Sequence, residues 1–309
     1  LASLHMTDPL TDNLKEGNKI PKAWLSRAEE LLSLPNDAHR YAMVIFAYRL
    51  NWFHYFDPKW TEKTFLKLME DKNSSQDDVR AIWAGFMWGA KIPNSELFIK
   101  LKPHLLEMAK INISERRRHT EVLSGLLLSG WASKDEKKKK RYISNDEFRS
   151  VLLNVGDSFR ANILWHLRRW SKDKESIWAK QTLEFFRDVW PKHKMVRTAK
   201  TSARLCEIAL NQKEKFPEIC DIIIKLVAKT EDEFVHIPEI RKTAKDEEGS
   251  DLAEKYPEDY LNLLYAILPD QPERWPYGSA DVLKEIEESD PTLLKNPKLI
   301  ELKSRLNDL

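Results

Sequence analysis

The sequence predicts an all-α fold: stacked antiparallel helix pairs in a solenoid-like array of the HEAT or TPR type, divided into two lobes. Three observations carry that expectation. Apolar residues recur with the 3.6-residue helical period almost throughout, and strand-like alternation hardly occurs. Only 8 of the 309 residues are glycine, under half the usual share of about 7%. That is too few for the tight turns and phosphate loops of sandwiches, barrels and nucleotide-binding sheets. Finally, Glu214-Lys215-Phe216-Pro217-Glu218 returns 40 residues later as Glu254-Lys255-Tyr256-Pro257-Glu258, a period typical of helix-pair repeats.

The spacing predicts helices near 22–33, 38–56, 59–71, 76–90, 95–110, 114–131, 145–154, 157–171, 174–190, 196–210, 217–228, 257–268, 279–289 and 297–307. Start signals punctuate them. Ser75 precedes Gln76-Asp77-Asp78, Asn94 precedes Ser95-Glu96, and Ser144 precedes Asn145-Asp146-Glu147, each a capping residue followed by acidic side chains. Met43 to Phe56 is apolar nearly all round, which marks a central helix. Gly85 and Gly89 form a GxxxG pattern, which in such a helix permits close contact with a neighbour.

The repeated pentapeptides open helices with proline at the first helical position, where a missing N–H costs nothing. Behind them Ile219, Ile222, Ile223 and Leu226 fall in step with Tyr260, Leu263, Leu264 and Ile267. Pro297 opens another helix a further 40 residues on, with poor similarity around it.

His5-Met6 reads as a cloning-site junction, so residues 1–5 read as a vector-derived scar and Met6 need not be the natural start. The remainder divides into an N-terminal helical lobe (6–131), a basic linker (132–144) and a C-terminal helical-repeat lobe (145–309). Cys206 and Cys220 both fall in apolar helical patterns and read as free thiols of a reducing compartment. The longest apolar run, Ala81 to Ala90, has ten residues, well short of the roughly 20 of a membrane span. With no signal peptide at the start, the expected location is the cytoplasm.

Signatures of chemistry are missing from the sequence. The seven histidines other than His5 are dispersed, with no HExxH and no CxxC, so no metal ligand set is expected. Gly125 and Gly130 have Walker A spacing, but Trp131-Ala132 stands where Lys-Ser/Thr would bind phosphate and magnesium. There is no GxSxG nucleophile elbow. The acidic pairs Asp77-Asp78 and Glu247-Glu248 sit beside helix starts, where capping accounts for them. The chain alone is therefore expected to be non-enzymatic, with no catalytic residue and no cofactor.

Charge is segregated. Residues 110–204 carry 23 Lys/Arg against 11 Asp/Glu, whereas 205–309 carry 14 against 24. Within the basic third, Lys137, Lys138, Lys139, Lys140 and Arg141 form a solvated run. Beyond Pro191, Arg197, Lys200, Thr201 and Arg204 fall at i, i+3, i+4 and i+7, one face of a helix. Such a strip suits an external anion, since arginine offers paired donors to anionic oxygens, or it docks internally on the acidic third. Trp275 and Tyr277, in Arg274-Trp275-Pro276-Tyr277-Gly278, are candidate aromatic anchors or a loop plug.

The run from Trp190 to Cys206, the FPE and YPE helix starts, and Trp275-Pro276-Tyr277-Gly278 before an acidic helix resemble a known region. It is the C-terminal helical region of large bacterial antiphage-defence proteins whose N-terminal part is sirtuin-like. The resemblance covers roughly residues 160–309 and rests on structural motifs. It implies a sensor or scaffold half, with NAD degradation confined to a separate sirtuin-like domain, and it transfers no catalytic residue. The expected function is recognition of a protein partner, either a phage component or the chain's own effector domain, through a helical-repeat surface. Nucleic-acid binding through the basic middle third and a freestanding scaffold role are the alternatives.

Overall fold

The computed structural model describes residues 19–89, 91–111, 117–135, 138–172, 177–230 and 252–307. Among them the secondary structure is helical throughout, apart from a single antiparallel bridge between Lys134 and Arg141. The chain divides into two units, Leu1–Ile143 and Ser144–Leu309.

The first unit contains α1 (Lys22–Leu32), α2 (Asp37–Tyr48), α3 (Leu50–Phe56), α4 (Pro58–Thr61), α5 (Lys67–Glu70), α6 (Gln76–Gly89), α7 (Ser95–Lys110) and α8 (Arg117–Ala132). A π-helical turn, Glu62–Leu66, joins α4 to α5. The cap expected of Asn94 is present, its side chain accepting the Leu97 N–H at 3.0 Å. The core here is aromatic. Trp24, Phe46, Phe53, Trp60 and Phe65 are buried, with successive ring centroids 5.3 to 6.0 Å apart. The segment read as one central helix is instead two, broken at Arg49. Tyr48 and Tyr55 are exposed and not part of the core.

Of the basic segment read as a linker, the described residues, 132–135 and 138–143, fall in the first unit. Tyr142 N–H donates to the Ser133 carbonyl at 3.1 Å, and Ile143 N–H to that of Gly130 at 3.3 Å. The chain thus doubles back on the end of α8, and the unit boundary falls after Ile143.

The second unit contains α9 (Asn145–Asn154), α10 (Asp157–Trp170), α11 (Ile177–Glu184), α12 (Ala199–Leu210), α13 (Phe216–Ile223), α14 (Leu252–Lys255), α15 (Pro257–Ile267), α16 (Ser279–Ser289) and α17 (Pro297–Asn307). A reciprocal capping box opens α9. Ser144 N–H donates to Glu147 Oε2 at 2.8 Å, and Glu147 N–H to Ser144 Oγ at 3.2 Å, satisfying two otherwise orphaned donors. The helix expected over 196–210 begins later, after a 3₁₀ turn at Lys194–Val196. That expected over 217–228 stops at Ile223. The four-residue α14 has no counterpart in the sequence reading.

The repeated pentapeptide has a structural meaning. α13 and α15 pack directly on one another, and Phe216 lies 6.1 Å from the Tyr256 ring and 5.7 Å from that of Tyr260. Further along, Thr230 Oγ1 donates to the Ile267 carbonyl at 2.9 Å. Start meets start and end meets end, so the two segments run the same way. Their helices begin at Phe216 and Pro257, 41 residues apart, one more than the pentapeptides, so proline is the second residue of one helix and the first of the other. That shift is why the apolar positions match at 41 rather than 40. Ile223 and Leu264 are both buried. The segment between the two helices lies mostly in 231–251, outside the described residues.

A similar spacing recurs in both units. Side-chain hydrogen bonds link Asn51 to Lys91, Lys100 to Glu62, Arg149 to Asp188, Lys200 to Ser158, Arg168 to Glu207, Lys229 to Asp270 and Tyr265 to Glu301, over separations of 36 to 42 residues. In three helix pairs the order of contacts fixes direction. α10 meets α12 at Ser158–Lys200 and Arg168–Glu207, and α15 meets α17 at Asn262–Lys298 and Tyr265–Glu301. α2 meets α6 at Arg40–Asp77 and Tyr48–Gly89. All three pairs are parallel, each with at least one helix of the chain between its members.

Candidate functional site

One of these parallel pairs, α2 and α6, carries a surface cavity at its far end. At the start of α2, Arg40 reaches Asp77 at 3.3 Å and Asp78 at 3.6 Å. Towards the other end, Gly85 lies against the Val44 carbonyl, and a Cβ at Gly89 would fall 2.9 Å from the Tyr48 carbonyl oxygen. The GxxxG pattern therefore does what its spacing implied. It lets two backbones meet where any side chain would hold them apart.

That approach sets Trp88 beside Tyr48, ring centroids 5.7 Å apart. Both remain exposed, Trp88 by 57% and Tyr48 by 43%, and Tyr41, two helical turns earlier on the same face, by 68%. The Arg49 guanidinium stands 5.3 Å from the Tyr48 ring centre. Where α2 breaks and the chain leaves α6, a cavity of about 210 Å³ is lined by Tyr48, Arg49, Asn51, Trp52, Gly89 and Lys91, among others. Asn51 Nδ2 donates to the Lys91 carbonyl at 3.3 Å, leaving the buried Asn51 Oδ1 without a partner. The cavity thus combines aromatic side chains with two cationic residues, Arg49 and Lys91. Sequence reasoning missed it, because these aromatics were counted as core.

The basic strip is largely absorbed by the fold. Thr201 is not a contact residue: it is fully buried, and its hydroxyl donates to the Val196 carbonyl at 2.7 Å. It also forms a reciprocal capping box with Thr198. Arg197 precedes the helix instead of sharing its face, and donates to the Lys192 carbonyl at 3.0 Å. Lys200 reaches Ser158 Oγ at 3.3 Å. Arg204 binds both Glu207 oxygens at 2.9 Å, and Arg168 from α10 binds one of them at 2.9 Å. Two arginines thus clamp one nearly buried carboxylate between parallel helices.

The lysine run divides in a similar way. Lys138, Lys139 and Lys140 are exposed, and Lys137 lies outside the described residues. Arg141 is structural: it donates to the Trp131 carbonyl at 2.7 Å and stacks 4.2 Å from that ring's centre. The aromatic patch also separates into two roles. Trp275 is buried and donates from Nε1 to the Pro269 carbonyl at 2.8 Å, a loop plug, whereas Tyr277 is 87% exposed. Gly278, with φ of 85°, occupies the left-handed region and caps α16, a conformation that favours glycine.

Elsewhere, the buried Cys220 and His54 are shifted by their surroundings. Burial pushes the Cys220 thiol well above its ordinary pKa, reinforced by Asp259, so it stays protonated and unreactive. Burial holds His54 below the usual imidazole value, with Glu96 opposing and Lys100 adding to the shift. No helix among the described residues is long and apolar enough to cross a membrane.

Fold and surface together define an all-α protein of paired helices carrying an aromatic and cationic cavity. Compared with protein families, curated proteins and solved structures, the chain finds no match in any of the three.

Proposed function

We propose that the chain is a non-enzymatic recognition module of a bacterial antiphage-defence protein, a cytoplasmic helical-repeat scaffold that binds a protein partner. The parallel helix pairs and contact separations near 40 residues support the repeat architecture. The observation that carries the binding role is the exposed Tyr48–Trp88 pair beside a cavity flanked by Arg49 and Lys91. Tyrosine, tryptophan and arginine dominate the energetics of protein interfaces, above all around a pocket that a partner side chain can fill. The two cationic residues, Arg49 and Lys91, suit an acidic side chain. The defence context rests on the resemblance of residues 160–309.

Nucleic-acid binding remains the second reading, favoured by the exposed Lys138, Lys139 and Lys140. Pull-down from phage-infected cells separates the two. A salt-tolerant protein complex, lost on Tyr48→Ala and Trp88→Ala together, supports the proposal. A salt-sensitive shift on DNA or RNA, lost when the three lysines become glutamate, supports the alternative, because phosphate neutralisation releases counterions.

A further inference from the structure

His54, on α3, is almost wholly buried at 1% exposure, yet neither ring nitrogen has a hydrogen-bond partner. A buried imidazole with both nitrogens unpaired is costly, since each polar atom has lost water and gained nothing. What faces it is a pair of carboxylates. Glu62 and Glu96 each bring an oxygen, and His54 a ring nitrogen, such that all three atoms lie within 4.8 Å of one another.

Separate elements deliver these groups. Glu62 opens the π-helical turn, whose wider register is a recurrent feature of functional sites. Glu96 sits in the first turn of α7, fixed by the Asn94 cap. Burial is graded, from the enclosed ring through the half-buried Glu62 to the exposed Glu96. Lys100 contacts Glu62 and stands 3.4 Å from Glu96 Oε1, so a cation already occupies the space between the carboxylates.

We infer that His54, Glu62 and Glu96 form a site for one divalent zinc-type ion, which binds by displacing the Lys100 ammonium from between the two carboxylates. One imidazole and two carboxylates balance the ion's charge, and the nitrogen ligand favours zinc over magnesium or calcium, which prefer oxygen alone. Zinc bonds of roughly 2.0–2.2 Å require the three atoms to draw in to separations of about 3.4 Å. That movement falls on the carboxylates, whose side chains are the accessible ones. Three protein ligands leave a fourth position open towards solvent.

No sequence motif marks this site, because its ligands lie 8 and 34 residues apart, on elements that only tertiary packing brings together. The inference is independent of the proposed partner binding, since none of the three residues lines the Tyr48 cavity.

The test is titration of the full chain with zinc against a chromophoric chelator at neutral pH, repeated with cobalt to read the ligand field. The expected result is one ion per chain and a raised melting temperature. Binding should weaken at least tenfold in Glu62→Gln and in Glu96→Gln, and vanish in His54→Phe, which fills similar space without a ligand. Lys100→Met should bind more tightly, because the competing ammonium is gone. Absence of stoichiometric binding overturns the inference, as does binding that these substitutions leave unchanged. Binding by Lys100→Met but not by the unaltered chain overturns it as well, since lysine is then the permanent cation of the site.

Discussion

Gly85 of α6 lies directly against the Val44 carbonyl of α2, with no room between them for a β-carbon. Because the obstacle is backbone, it cannot swing aside. Gly85→Ala is expected to lower stability by about 1–3 kcal/mol, the range for overpacking, even though alanine favours a helix by about 1 kcal/mol over glycine. Gly89→Ala, facing a looser 2.9 Å approach to Tyr48, should cost less. Urea unfolding of both variants checks the order. A Gly85→Ala protein more stable than the parent would show that the helices do not meet this closely.

The repeated helices give a second expectation. Ile223 and Leu264 occupy matching buried positions in α13 and α15. Truncating either to alanine should cost about 2–5 kcal/mol, through lost burial and the cavity left behind. Similar losses from the two variants fit equivalent roles; a negligible loss from either would separate them.

Charge reversal at the arginine clamp tests whether the basic strip is internal. Arg204→Glu places a second carboxylate against Glu207, which Arg168 alone would then balance. Stability should fall by about 1–2 kcal/mol, less than for a fully buried pair because Arg204 is 40% exposed. Lys200→Glu, whose contact is one hydroxyl, should stay within about 0.5 kcal/mol. Equal and negligible effects at both positions would return the strip to the surface.

Acid should loosen the packing of α15 on α17. The Tyr265 hydroxyl donates to Glu301 Oε2 at 2.8 Å, and Arg305 binds the same carboxylate at 2.5 Å. These contacts hold the Glu301 carboxyl below its ordinary pKa, the Tyr265 bond first; Lys229 and Arg305 do the same for Asp270. A carboxylate with a depressed folded pKa contributes stability above its unfolded value, lost as pH falls through the folded one. The urea midpoint should therefore drop as pH is lowered through and below the ordinary carboxylate range. Tyr265→Phe should show a smaller drop, and an identical pH profile would remove the bond from the account.

Much of the fold could be read from the chain. Local signals, such as the Ser144–Glu147 box and the Asn94 cap, are written in adjacent residues and recur in the structure. The helix-pair spacing surfaced only once in sequence, at the two pentapeptides, because its other instances are contacts between unlike residues, such as Arg168 with Glu207. The candidate sites were less legible. Thr201 looked like part of a polar face, but a capping threonine and a surface threonine are the same letter. Tyr48 looked like core, as part of the nearly all-apolar 43–56 segment, since apolar periodicity cannot tell an aromatic that packs from one left exposed at a helix end. His54 was one histidine among several until packing set Glu62 and Glu96 in front of it.

The binding role is tested most directly by placing a photo-crosslinking benzoylphenylalanine at Trp88 and irradiating cells during phage infection. The account predicts a discrete protein adduct at position 88, reduced when Tyr48 or Arg49 is also replaced by alanine, and none from the same probe at Tyr277. Adducts to nucleic acid from probes at Lys138–Lys140, with none at position 88, would contradict it.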